Sequence, residues 1–146
     1  MASGEFYEPH QVQGLIAACS RRAPSGIRDA ALISMIYGSG LRISEALALM
    51  PADIRPGRQI HVRRGKGGKA RTIGVTESAL DDLGRWFDVR GQLAKPGSPV
   101  FCTLQGGPID RRDMDRMIKR RGDKCELGQR FVVVRQGLNF RHGGCR

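Results

Sequence analysis

Two glycines interrupt an apolar helical pattern that runs from residue 36 to residue 50, and this break constrains the fold more than any other feature of the chain. Glycine adopts backbone conformations that residues with a Cβ avoid, so the pattern predicts that one helix ends at Gly38 and that Gly40 links it to the next. Ser44, with Glu45 behind it, is expected to help start that second helix, because a short side-chain oxygen can satisfy a free backbone N–H. Arg42 is therefore predicted to lie at a helix junction, where a fixed guanidinium can grip an oxyanion with two parallel hydrogen bonds.

Arg42 has two interpretations. The plain one is a local cap or surface ion pair, which is how most arginines are used. The other follows from a resemblance: Gly-Leu-Arg-Ile-Ser-Glu-Ala-Leu, at residues 40–47, resembles the first arginine box of the tyrosine recombinases, the phage-integrase family of DNA strand-exchange enzymes. The resemblance implies that Arg42 contacts the scissile phosphate.

The first fifty residues predict three helices. Apolar residues recur at helical spacing after Pro9 and again from about Ile27, and a third helix follows the glycine break from Ser44. Pro9 is well suited to open the first of these helices because its missing N–H would be unpaired there in any case. These three helices are expected to share one apolar core.

The pattern changes after the turn at Pro56-Gly57. Alternating apolar residues predict a β-hairpin over about 59–75, and Thr76 is expected to cap a fourth helix. A short strand is predicted at Val100-Phe101, and Asp110 is expected to cap a fifth helix. The fold class is therefore α+β, mainly α-helical: a helical bundle with a small antiparallel sheet, which resembles the tyrosine recombinase catalytic domain.

The predicted hairpin carries a run of cations without an acid. No Asp or Glu occurs between Asp53 and Glu77, whereas this interval contains Arg55, Arg58, Arg63, Arg64, Lys66, Lys69 and Arg71. A charged ribbon of this size can enter a nucleic-acid groove or lie along a phosphate chain. Hairpin tips are also often basic simply to stay soluble and to discourage edge pairing. Seven like charges repel one another unless an anion screens them, and this favours the nucleic-acid interpretation.

Arg-Gly-Lys-Gly-Gly-Lys, at residues 64–69, resembles the β-hairpin of the same recombinase family. The resemblance implies that Lys66 is the general acid that protonates the leaving 5′ hydroxyl, with Lys69 as the second candidate. An ammonium is suited to this role because its charge stabilises the departing oxyanion before proton transfer is complete. Contacts to DNA are predicted for basic residues of the hairpin and of the fifth helix: Arg63, Arg64, Lys69, Arg71, Arg116, Lys119 and Arg120.

The resemblance weakens beyond the fifth predicted helix. Arg141 takes the place of the family's second arginine, but Leu138 stands where the family has a histidine. The chain has two tyrosines, Tyr7 and Tyr37, and neither follows that second box as the family's nucleophile does. Residues 131–146 are therefore interpreted as a divergent tail. The chain is predicted to be an incomplete recombinase catalytic domain that lacks the N-terminal core-binding domain and cannot cleave DNA alone.

Composition agrees with a DNA-binding domain. The 146 residues suit one domain, residues 1–146, and 25 Lys plus Arg against 14 Asp plus Glu give a net charge of +11, which attracts polyanions. Four scattered cysteines and three dispersed histidines give no metal-ligand spacing. By the resemblance, neither metal nor nucleotide cofactor is expected. No targeting or membrane-spanning segment is apparent, and a cytoplasmic location is expected.

Three functions remain open from the sequence. The first is a DNA breaking and rejoining protein of the recombinase type. The second is a noncatalytic module that binds duplex DNA, or that pairs with a full-length recombinase. The third is a basic RNA-binding protein, which is disfavoured because aromatic residues make up only 5% of the chain. A truncated domain would leave core surface uncovered, so marginal stability or self-association is also predicted.

Overall fold

The computed structural model describes residues 6–7, 9–63, 69–124 and 139–140. In these ranges the chain forms five α-helices and five short strands. The predicted α+β class, with helices dominant, is confirmed. The elements in chain order are β1 (Phe6–Tyr7), α1 (Pro9–Ala17), α2 (Pro24–Ser39), α3 (Ile43–Leu47), a 3-10 turn (Pro51–Asp53), β2 (Ile54–Arg55), β3 (Gln59–Val62), β4 (Arg71–Gly74), α4 (Glu77–Arg90), α5 (Arg111–Lys124) and β5 (Asn139–Phe140).

The antiparallel sheet has three strands in the order β2-β3-β4, one more than the sequence predicted. The central strand β3 places Ile60 between Ile54 of β2 and Ile73 of β4. The additional strand arises because the turn at Pro56-Gly57 closes a second hairpin. Gly57 and Arg58 both adopt positive φ angles there, of 79° and 56°, and this left-handed backbone reverses the chain between β2 and β3.

Helix α2 lies at the centre of the core, packed against α1 and α4. Every residue from Ala31 to Ile36 is buried. The predicted helix end at the glycine pair is confirmed, one residue later than Gly38: α2 ends at Ser39, where Gly40, at φ 77°, donates its N–H to the Ile36 carbonyl at 2.9 Å. Gly38 itself has a different role, because it permits a close helix contact. A Cβ at this position would lie 2.5 Å from Thr76 Oγ1.

The predicted strand at Val100-Phe101 is also wrong. The Val100 carbonyl accepts from Trp86 Nε1 at 2.7 Å and from Arg90 Nε at 3.0 Å, while the Val100 N–H donates to the Leu49 carbonyl at 2.8 Å. The Val100 carbonyl is therefore satisfied by side chains of α4, and its N–H is satisfied by Leu49, which lies just after α3. Neither group has a strand partner. The nearest β-type pairing is one isolated antiparallel bridge between Cys102 and Pro108.

Thr76 and Asp110 act as helix caps, as predicted. Thr76 Oγ1 accepts from the Ala79 N–H at 3.3 Å, and Asp110 Oδ1 accepts from the Arg112 N–H at 2.9 Å.

Within the described residues, no helix is both long and apolar enough to cross a membrane.

Helix α5 is tied to α2 through a buried carboxylate. Asp29 is 2% exposed, and its two oxygens accept from different arginines: Oδ1 from Arg28, at 2.9 and 3.0 Å, and Oδ2 from Arg121 at 2.9 Å. Arg121 belongs to α5, so this arrangement joins residues far apart in the sequence. A buried carboxylate is stable when its lone pairs are satisfied in this way.

The strands β1 and β5 form a separate parallel pair, in which Phe6 lies opposite Asn139 and Tyr7 opposite Phe140. The region that the sequence identifies as a divergent tail therefore contributes a strand that pairs with the start of the chain.

Candidate nucleic-acid interface

Arg42 lies at the junction between α2 and α3, as the glycine break predicts. It is the residue at the N-cap of α3, with an extended backbone at φ −77° and ψ 155°. The expected cap by Ser44 is wrong, because Ser44 is exposed within the first turn and the Arg42 N–H donates instead to Glu45 Oε1, at 3.0 Å. Arg42 is thus held by its backbone, and capping does not depend on its guanidinium.

Glu45 makes a second and stronger contact, to Arg71 at the start of β4. Arg71 Nη1 donates to Glu45 Oε2 at 2.8 Å and Nη2 donates to Oε1 at 3.0 Å, so the pair is bidentate. The Glu45 side chain is 6% exposed and that of Arg71 is 38% exposed. This planar, two-point geometry is among the stronger forms of ion pair in proteins.

The contacts of Glu45 shift the pKa of its carboxyl group. Burial raises this pKa, but the hydrogen bonds from Arg71 and from the Arg42 backbone, together with the two guanidinium charges, outweigh burial and hold the pKa below its usual 4.5. The hydrogen bond to Glu45 likewise raises the pKa of Arg71. Both groups are therefore ionised at neutral pH.

Three cations border one open cavity beside this junction. The cavity has a volume of about 310 Å³ and is lined by Gly40, Arg42, Lys69 and Arg71. The helix junction supplies two of these residues, and the returning leg of the hairpin supplies the other two. Arg42 and Arg71 are half-buried, and Lys69 is exposed. Such a cavity suits a tetrahedral oxyanion, because several cationic side chains border the same space and can reach different oxygens of one group.

Arg63, which directly follows β3, is held in a similar way on the outgoing leg. Its Nη2 and Nε donate to Asp53 Oδ2 at 3.0 and 3.2 Å, and the same oxygen accepts from the Met50 N–H at 2.9 Å. Asp53 is 5% exposed. Among the hairpin cations that the structure describes, Arg63 and Arg71 are therefore neutralised within the protein, by acids that lie outside the basic run.

The predicted DNA-binding positions of α5 share one exposed face. Arg116, Lys119 and Arg120 are exposed, while Met114, Met117 and Ile118 are buried on the other side of the helix. Arg116 pairs with Asp113, which is also exposed. Surface pairs of this kind are weak, so Arg116 can exchange its partner for a phosphate at little cost.

Arg64, Lys66 and Arg141 lie outside the described residues, and their predicted roles stay predictions. The residues that sequence reasoning missed are the acids Glu45, as a partner of Arg71, and Asp53. One signal was available for Asp53, since it is the last acid before the basic run. Nothing in the sequence indicates that Glu45 reaches a residue 26 positions later.

The fold and the site together define a mainly helical domain in which a small β-ribbon and a helix junction border one cationic cavity. The chain belongs to the phage integrase family, whose profile matches residues 5–140. This family, the tyrosine recombinases, is the one that the arginine box and the hairpin resemble.

Proteins similar to this chain include tyrosine recombinases of the XerC and XerD types. The chain is 33% identical to XerC of Actinobacillus pleuropneumoniae over 115 residues, which cover 78% of this chain and 37% of that protein. It is 36% identical to XerD of Ralstonia nicotianae over 121 residues, which cover 80% of this chain and 39% of that protein. The chain therefore spans less than half the length of these relatives.

Solved structures show the same fold. The XerA recombinase superposes with a TM-score of 0.74 at 26% identity, over 86% of this chain and 44% of that one. The XerH recombinase, whose structure is a pre-cleavage complex with its difH substrate, superposes with a TM-score of 0.69 at 18% identity, over 91% of this chain and 39% of that one. At this low identity, the similarity to XerH supports the shared fold only.

Proposed function

We propose that this chain binds duplex DNA by seating a backbone phosphate in the cavity between Arg42, Lys69 and Arg71, as the front part of a recombinase catalytic domain that takes part in site-specific recombination and DNA integration. One observation carries the proposal: Arg42 and the returning leg of the hairpin line the same cavity. Membership of the phage integrase family supports it.

The role of each residue follows from its chemistry. Arg42 holds the non-bridging phosphate oxygens, where charge develops during phosphoryl transfer. Arg141 is proposed as the second arginine and Lys66 as the donor of a proton to the leaving group. The exposed cations of α5, with Arg64 of the hairpin, contact further phosphates along the duplex. No metal or nucleotide cofactor enters this proposal.

We propose further that the 146-residue chain does not cleave DNA by itself. Its tyrosines are Tyr7, which lies in β1, and Tyr37, which lies half-buried within α2 ahead of the arginine box. A full-length recombinase, or another copy of the chain, is the proposed partner in an active assembly. The proposed place of action is the cytoplasm.

A titration on three nucleic acids tests the proposal. The chain is expected to bind a nicked duplex and an intact duplex with similar affinity, more tightly than a structured RNA of equal length, and to form no covalent adduct on the nicked substrate. Tighter binding to RNA would favour the RNA-binding alternative. A covalent adduct would contradict the absence of cleavage, and it would place a nucleophile within these residues.

A further inference from the structure

Two buried carboxylates hold the two legs of the basic hairpin. Arg63 directly follows β3, and Arg71 is the first residue of β4, paired in register with Val62. The guanidinium of each arginine is occupied by an acid, Asp53 or Glu45 respectively. These are the positions at which the chain leaves the sheet after β3 and returns to it.

Both acids belong to the segment that begins at Arg42. Glu45 lies in α3, and Asp53 ends the 3-10 turn that follows. Each acid also accepts a backbone N–H of that segment, from Arg42 to Glu45 and from Met50 to Asp53. A carboxylate fixed by a backbone donor loses little further freedom when an arginine binds it, so these acids are preorganised anchors.

We propose that Arg71 and Arg63 are positioning residues, which fix the two legs of the hairpin to the segment that carries Arg42. The proposal rests on the function proposed above and deepens it. In this arrangement Arg71 acts through Glu45 to place Lys69 beside Arg42, and it does not need to donate to a phosphate itself. The two anchors have separate acids, so each leg is held independently.

The alternative is that Arg71 contacts DNA phosphate directly, and the two accounts predict opposite results. A phosphate contact made by Arg71 contributes about 0.9 to the slope of log affinity against log salt concentration, so Arg71→Ala would lower that slope. Glu45→Gln would then raise the affinity, because it removes a negative charge and releases Arg71. If Arg71 only positions the leg, Lys69 still reaches its phosphate from a less ordered leg, so the number of phosphate contacts and the slope stay unchanged while Glu45→Gln lowers the affinity.

The experiment measures duplex DNA affinity by fluorescence anisotropy over a series of salt concentrations, at a temperature where circular dichroism shows every variant folded. Arg71→Lys keeps the charge but loses the two-point fork, and it is expected to weaken binding at least about threefold at fixed salt with an unchanged slope. Arg85→Lys is the matched control, because Arg85 pairs with Asp82 on the exposed surface of α4. The control is expected to bind as the wild type does.

Coupling between the partners supplies the decisive readout. The double variant Glu45→Gln/Arg71→Lys is expected to have the same DNA affinity as whichever single variant binds DNA less tightly. Either change alone already breaks the anchor, so the second change adds no further loss. Additive losses, a lower salt slope in Arg71→Ala, or tighter binding by Glu45→Gln would each overturn the inference.

Failure of the proposed function is distinguishable from failure of the anchors. If the wild type shows no salt-dependent binding to duplex DNA, the proposed function fails. Amide hydrogen exchange of residues 59–62 and 71–74 in the free protein then decides the inference. Faster exchange in Arg71→Lys than in Arg85→Lys supports the anchor, and equal exchange in the two variants overturns it.

Discussion

Arg71 donates to both carboxylate oxygens of Glu45, at 2.8 and 3.0 Å, and so joins the first strand residue after the hairpin loop to the helix that follows Arg42. The link brings two separate stretches of the chain to one cavity. Because Glu45 is buried, the pair is shielded from solvent on one side and is worth more than an exposed ion pair. The arginine box and the basic hairpin therefore form one structural unit.

The Glu45 pair makes part of the protein's stability depend on pH. The folded-state pKa of Glu45 lies below its usual 4.5, so its contribution is fully present above about pH 4.5 and is lost as the pH falls through the folded-state value. We expect the wild type to be more stable than Glu45→Gln at pH 7, and the difference to shrink steadily below pH 4.5. Urea denaturation at a series of pH values measures it. A difference in stability that stays constant below pH 4.5 would contradict a lowered pKa of Glu45 in the folded protein.

The contact at Gly38 predicts a specific packing defect. A Cβ there would lie 2.5 Å from Thr76 Oγ1 and 2.9 Å from Ala79 Cβ, so α2 and α4 must move apart in Gly38→Ala. Such overpacking costs roughly 1–3 kcal/mol. Thermal denaturation followed by circular dichroism measures the loss.

Gly84→Ala is the matched control for this packing. Gly84 lies inside α4, and a Cβ there meets no atom within 4 Å. Replacing a helical glycine on an open surface by alanine stabilises a protein by roughly 0.5–1 kcal/mol. The two alanine variants are therefore expected to shift the melting temperature in opposite directions. A gain of stability in both would show that α2 and α4 are not in close contact at Gly38.

The buried carboxylate of Asp29 predicts a large loss of stability on truncation. Asp29→Ala leaves Arg28 and Arg121 without their shared partner, and breaking a buried pair of this kind costs about 3 kcal/mol or more. Asp82→Ala removes the half-buried partner of the exposed Arg85 and is expected to cost less than about 1 kcal/mol. Equilibrium unfolding of the two variants compares the losses. Equal losses would mean that Asp29 does not join α5 to the rest of the core.

The sequence predicts each of the five described helices because their signals are local. Thr76 and Asp110 cap α4 and α5 as expected, since a cap depends on residues within one turn. Gly38 shows the limit of such reasoning. A glycine near a predicted helix end resembles a terminator, but here the close approach of another helix requires it, and that neighbour is 38 positions away in the chain.

In the candidate site, the position of Arg42 could be predicted from the sequence, but the partners of the hairpin arginines could not. The position of Arg42 follows from the glycine break and the arginine box, both of which are contiguous. The partners of Arg63 and Arg71 depend on how the sheet lies against α3, and no short-range pattern encodes this. The run of cations in the sequence predicts binding of an external anion, whereas the structure supplies internal acids for Arg63 and Arg71.

The salt dependence of DNA binding by Arg42→Ala tests the central claim most directly. The α3 cap uses the Arg42 backbone N–H, so this variant is expected to fold normally. If Arg42 holds a DNA phosphate, the variant binds more weakly than the wild type and the magnitude of its slope of log affinity against log salt falls by about 0.9. Affinity and slope equal to those of the wild type would contradict the account.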